Sequence, residues 1–91
     1  MRIYGVPMAT NQSTLINRII RDPSVLVGKP IVRGTRIPVE LVLAKLARNP
    51  DVQELFAEYP RLTLDDVRAC LEYATGLVER EYAHSKANES A

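Results

Sequence analysis

Ninety-one residues, a net charge of +1, 46% hydrophobic residues and one cysteine describe one small globular domain without an internal disulfide. No apolar run reaches the roughly 18 residues of a membrane span, and Met1 to Thr14 lack the apolar stretch of a signal peptide. The expectation is therefore a cytoplasmic protein, with Cys70 in a reducing compartment.

The near-neutral total conceals a split. Residues 1–49 carry eight basic residues against two carboxylates, a charge of +6, and residues 50–91 carry four against nine, a charge of −5. Such polarity suits an anionic partner at one end and a cationic one at the other. It equally suits attraction between the two halves, within a chain or across a dimer.

In chain order, residues 1–14 are mixed and polar and are expected to be flexible, ahead of a single domain over 15–84 and a flexible tail over 85–91. Leu15 to Arg21 is apolar and β-prone, a first strand. Asp22-Pro23-Ser24 is turn chemistry. In Gly28-Lys29-Pro30-Ile31-Val32-Arg33-Gly34-Thr35-Arg36-Ile37-Pro38, the glycines can take positive φ and the prolines fix φ. Ile31-Val32 makes a second strand. The two strands form an antiparallel ribbon within 15–37. An isolated ribbon is marginal in water, so it must pack on the helices or on another ribbon.

Helices are predicted over 38–48, 52–59 and 64–84, a mainly α fold. In the first, Pro38 takes the opening position. Val39, Val42, Leu43 and Leu46 form an apolar stripe, and Asn49 suits a left-handed cap. In the second, Asp51 and Glu54 have capping-box spacing, Val52, Leu55, Phe56 and Tyr59 share a face, and Pro60 ends the helix. In the third, Thr63 and Asp66 form a capping box, flanked by the hydrophobic staple Leu62–Val67. Val67, Cys70, Leu71, Ala74, Leu77 and Val78 are expected to face the core.

The second helix, the turn Pro60-Arg61-Leu62 and the third helix match a helix-turn-helix in size. In that motif the start of the second helix meets DNA bases. Here it carries Asp65 and Asp66, which repel phosphate, so Arg61, Arg68 and the basic ribbon turn must supply the phosphate contacts. Arg33-Gly34-Thr35-Arg36 supports two readings. It can offer a hydroxyl, amides and two guanidiniums to a phosphate. Alternatively Gly34 only bends the chain, Thr35 bonds local backbone, and the arginines pair with carboxylates such as Glu58 or Asp66.

Catalytic chemistry finds no support. Gly28-Lys29 lacks the hydroxyl residue and upstream glycine of a P-loop. His84 stands alone, and Cys70 sits on an apolar face. The acidic pairs Asp65/Asp66 and Glu79/Glu81 have no His or Cys beside them to complete a metal set. No nucleophile, base and orienting group come together, so neither enzyme activity nor a cofactor is expected.

The strings Arg18-Ile19-Ile20-Arg21-Asp22-Pro23, Gly28 through Val39, Glu58 through Val67 and Leu71-Glu72-Tyr73-Ala74 closely resemble a family of small bacterial and archaeal proteins. It is known as domain of unknown function 433, with antitoxin-like, VapB-type members. The resemblance covers about residues 15–78. It departs at Asn49, where the family usually has glycine. It implies a tri-helical, homeodomain-like or winged-helix-like fold with a β-ribbon, and a type II antitoxin paired with a PIN-like ribonuclease toxin.

The combined expectation is a homodimeric antitoxin that binds operator DNA and neutralises its toxin. Arg33, Thr35, Arg36, Arg61 and Arg68 are the candidates for nucleic acid. Glu72, Glu79, Arg80 and Tyr82 are the candidates for the toxin. The competing expectation is an interaction or dimerisation module that does not bind DNA.

Overall fold

The computed structural model describes Leu15 and residues 17–90, with side chains as far as His84; the expectations for residues 1–14 and 91 lie outside the described residues. Strands β1 (Ile19–Arg21) and β2 (Pro30–Val32) form a two-stranded antiparallel sheet, and helices α1 (Val39–Arg48), α2 (Val52–Glu58) and α3 (Leu64–Ser90) follow it. The ribbon pairs Ile19 with Val32, Ile20 with Ile31 and Arg21 with Pro30. Alternation along the strands gives the two faces different work. Ile19 and the fully buried Val32 join the core with the helices, while Ile20 and Ile31 line a groove on the other side.

The first strand is shorter than the Leu15–Arg21 run suggests. Leu15 lies in a helical turn, and its carbonyl accepts the Arg18 amide at 3.0 Å. Asn17-Arg18 makes that turn and delays the strand, as asparagine readily does. Between the strands, Leu26 (φ 51°), Val27 (φ 56°) and Gly28 (φ 80°) are all left-handed. Gly28 is suited to this conformation, but two bulky residues before it are not, because a Cβ crowds the following carbonyl there. Bonds from the Gly28 amide to the Val25 carbonyl (3.1 Å) and from the Lys29 amide to the Leu26 carbonyl (3.2 Å) hold the turn.

The helices bury the faces their spacing predicts near the ribbon. Val39 and Val42 of α1, Leu55 of α2, and Leu62, Val67 and Cys70 around the start of α3 enclose Val32. Two boundary details differ from expectation. Pro38 caps α1 from outside the helix, its carbonyl accepting the Leu41 and Val42 amides. Asn49 is extended (φ −151°, ψ 104°) rather than left-handed. Pro50 follows it, and a proline excludes the helical region for the residue before it and favours extended backbone. Asn49 instead donates from Nδ2 to Glu54 Oε1 at 2.8 Å, while Asp51 accepts the Gln53 amide at 2.9 Å. Glu54 thus ties α1 to α2 rather than closing a reciprocal box.

The cap of α3 is reciprocal, as predicted. The Thr63 amide donates to Asp66 Oδ2 at 3.0 Å and the Asp66 amide donates to Thr63 Oγ1 at 3.1 Å. Asp66 is buried, and its other oxygen accepts from Arg18 Nη1 at 3.0 Å. Higher up α3, Arg21 Nη2 donates to the Tyr73 hydroxyl at 2.7 Å. Arg18 precedes β1 and Arg21 ends it, so the ribbon is pinned to α3 at two points.

Beyond Tyr73 the helix leaves the domain. Its 27 residues make a rod of about 40 Å, against about 15 Å for α1 and 10 Å for α2. The expected core row therefore ends early: Leu77 and Val78 are exposed because no element is long enough to cover them, and Leu71, beside the buried Cys70, is exposed on the side of the helix away from the core. The helix also passes the expected end at His84, since Ser85 to Ser90 contains neither proline nor glycine to stop it.

Thr63→Ala should cost about 1 kcal/mol through the lost cap. Asp66→Ala should cost about 2–3 kcal/mol, because it also strands the Thr63 amide and the Arg18 guanidinium. Urea midpoints read by circular dichroism check this order; equal effects would separate Asp66 from the ribbon.

Candidate functional site

The ribbon turn and the α2–α3 turn meet at one edge of the molecule. Gly34 bends the chain with φ 81°, and Arg61 Nη2 donates to the Gly34 carbonyl at 3.1 Å. That bond places Arg61 against the loop carrying Arg33 and Arg36. Between them lies an open groove of about 540 Å³ with Ile20, Val25 and Ile31 among its walls and Arg36, Arg61 and Asp22 lining it. Asp22 accepts from the Ser24 amide at 3.0 Å and hydroxyl at 2.7 Å. Those two bonds, with the charge of Arg36 adding to them, hold its carboxyl below the usual range.

The sequence candidates separate here. Thr35, Arg36 and Arg61 line this edge, and Arg33 is exposed in the same turn, next to Gly34. The Thr35 hydroxyl is committed to the turn, donating to the Val32 carbonyl at 2.7 Å and accepting the Ile37 amide at 3.0 Å. Neither Arg33 nor Arg36 pairs with Glu58 or Asp66. Lys45 holds Glu58 at 2.8 Å and Arg18 holds Asp66 at 3.0 Å. Among the described residues, Arg33, Arg36 and Arg61 form no ion pair. Arg68 is different: it lies on α3 and reaches Asp65 at 3.3 Å. Arg18 comes within 3.7 Å of the same Asp65. The acidic start of α3 is therefore compensated by Arg18 and Arg68.

The candidates for a protein partner all lie on α3. Glu72 is half-buried near the core, while Glu79, Arg80 and Tyr82 are exposed on the projecting half. Two features were not anticipated from sequence: Arg18 as a clamp on α3, and Ile20 with Ile31 as groove lining. The strand period carried the second, since any ribbon with Ile19 and Val32 on one face puts Ile20 and Ile31 on the other, where Ile20 is half-buried and Ile31 is covered.

Cys70 offers no reactive group. Burial, with Asp66 nearby, pushes its thiol up to about 12 from an ordinary 9.0. Among the described residues, no helix is long and apolar enough to cross a membrane.

The family described as Protein of unknown function (DUF433) matches residues 19–74. The chain belongs to this family. The crystal structure of a DUF433 member protein from Anabaena variabilis ATCC 29413 is similar at a TM-score of 0.61 and 34% identity, covering 86% of this chain and 81% of that one. The uncharacterized protein y4eO of Sinorhizobium fredii (strain NBRC 101917 / NGR234) is 36% identical over 56 residues, 62% of this chain. The chain spans only 25% of that relative's length. The DUF433 match begins with β1 and ends one residue past Tyr73, where α3 leaves the core.

Gly34→Ala should lower stability by about 1–2 kcal/mol, since a Cβ strains that φ even though no atom lies within 4 Å of it; Gly34→Asn should recover part of the loss, and thermal melts compare the two. Cys70 should stay unreactive towards a disulfide reagent until denaturant is added. The folded thiol holds its proton more tightly than the unfolded one. Its contribution is therefore full below pH 9 and is lost as pH rises towards 12. Denaturant midpoints compared between the parent and Cys70→Ala across that window check the sign.

Proposed function

We propose that this DUF433 protein is the DNA-binding antitoxin of a toxin–antitoxin pair, without catalytic chemistry of its own. Arg33, Arg36 and Arg61 hold operator phosphates, and the helix-turn-helix of α2 and α3 sets the register on the duplex. The observation that carries this reading is the Arg61–Gly34 hydrogen bond at 3.1 Å. It joins the ribbon turn to the helix-turn-helix turn and sets Arg61 beside Arg36 in one groove, both without an ion pair among the described residues, with Arg33 in the same ribbon turn. The acidic start of α3 no longer argues against phosphate, because Arg18 and Arg68 offset Asp65 and Asp66. The projecting half of α3, with Glu79, Arg80 and Tyr82 beyond Glu72, is the surface offered to a PIN-like toxin.

A second reading, an interaction module without DNA binding, draws support from that projecting half. Val78 and Tyr82 are 63% and 66% exposed on it, and apolar surface of this kind marks contact sites.

The upstream region of its own gene, as a labelled duplex against random competitor, separates the two. Selective binding that falls steeply with salt is expected. Arg33→Ala with Arg36→Ala should weaken binding to all sequences and flatten the salt dependence by about two counterions. Unchanged affinity and slope would remove this edge from the DNA site, and no selective binding would favour the second reading.

A further inference from the structure

We infer that two copies of this chain dock on each other reciprocally, the projecting half of α3 from one lying in the Arg36/Arg61 groove of the other. Neither surface is satisfied within one copy. The groove combines apolar walls from the half-buried Ile20 and Val25, over the buried Ile31, with two guanidiniums that have no ion-pair partner among the described residues, Arg61 bonding only the Gly34 carbonyl. The projecting helix supplies the complement. At about 100° per residue, Leu71, Val78 and Tyr82 fall on one line, and Glu79 and Glu81 lie roughly 80° to either side of it. An apolar ridge between two carboxylates thus meets an apolar groove beside two arginines, which is helix-in-groove recognition.

The occupant is argued from charge. The basic half of the chain carries +6 and the acidic half −5, with Arg36 and Arg61 lining the groove and Glu79 and Glu81 exposed on the projecting helix. Asp22 also lines the groove and stays charged, its Oδ1 accepting two bonds from Ser24, so it offsets one of the two arginines and leaves the groove net positive. A helix extending beyond its own domain cannot fold back into its own groove, but a two-fold pair uses both contacts at once and closes.

This inference goes beyond the DNA-binding reading and adds regulation to it. The docked helix covers Arg36 and Arg61, so a self-docked pair and operator DNA compete for the same guanidiniums. A protein partner that takes the helix releases the arginines of the other copy.

Sedimentation of the full chain without DNA tests the inference on its own, so its outcome does not depend on DNA binding. The parent should form a dimer that weakens as salt rises. Arg36→Glu alone and Glu79→Lys with Glu81→Lys should each raise the dissociation constant about tenfold or more. Mixing the two variants should restore a heterodimer in which the reversed charges face each other. Circular dichroism confirms that each variant is folded, and all three positions are exposed. A parent that stays monomeric, a dimer indifferent to the reversals, or a mixture that fails to pair would each overturn the inference. If DNA binds as proposed, the Glu79→Lys, Glu81→Lys protein should also bind it more tightly at high protein concentration.

Discussion

The carboxylate of Asp66 is the constraint on which the rest of the molecule depends. One oxygen closes the cap at Thr63 and the other receives Arg18. A ribbon with three paired positions has too few cross-strand contacts to persist alone. Its place is fixed by the Arg18–Asp66 and Arg21–Tyr73 links on one side and by Val32 in the core on the other. The clamp carries a penalty, since Arg18 Nε is buried with no hydrogen-bond partner. The charge-assisted bond to a largely buried carboxylate offsets it.

That use of Asp66 decides where free charge remains. The carboxylates nearest the ribbon are consumed in holding the fold: Asp66 and Asp65 by Arg18 and Arg68, Glu58 by Lys45, Glu40 by Lys29. The bond to Glu58 also raises the pKa of Lys45, so that cation stays charged and local. Among the described residues, the cations without an ion pair include Arg33 and Arg36 of the ribbon turn and Arg61, and Glu79 and Glu81 lie exposed towards the far end of α3. The overall +6/−5 division thus becomes a spatial one through which groups the fold spends and which it leaves.

Much of this was legible from residue order. Helix starts and stops follow from Asp51, Pro60, Thr63 and Asp66, because caps and prolines act within a few residues. The turn at Gly34 and the local hydroxyl role of Thr35 also follow from short-range chemistry. What could not be read depends on partners distant in the chain. Arg18 meets Asp66 across 48 positions and Arg61 meets Gly34 across 27, and no spacing rule encodes either. Asn49 departs from expectation for a different reason: it tolerates the left-handed region, but the steric demand of Pro50 behind it prevails. Leu77 and Val78 show the limit of periodicity: it identifies a face, but whether anything covers that face depends on the lengths of other elements.

The last of these limits explains how α3 can carry two roles. Isolated helices shorter than about 12–15 residues are marginal because nucleation is costly. The projecting half avoids that cost by continuing a helix already nucleated by the Thr63–Asp66 cap and packed through Val67 and Cys70. Each added residue needs only propagation, which alanine, glutamate and arginine support, and Gly76 opposes by about 1 kcal/mol. The order of the exposed ridge is therefore derived from the buried start of the same helix. A change at Asp66 would reach Val78 and Tyr82 through loss of that nucleus rather than through any contact, and a partner bound to the ridge would stabilise the ribbon by the same route in reverse.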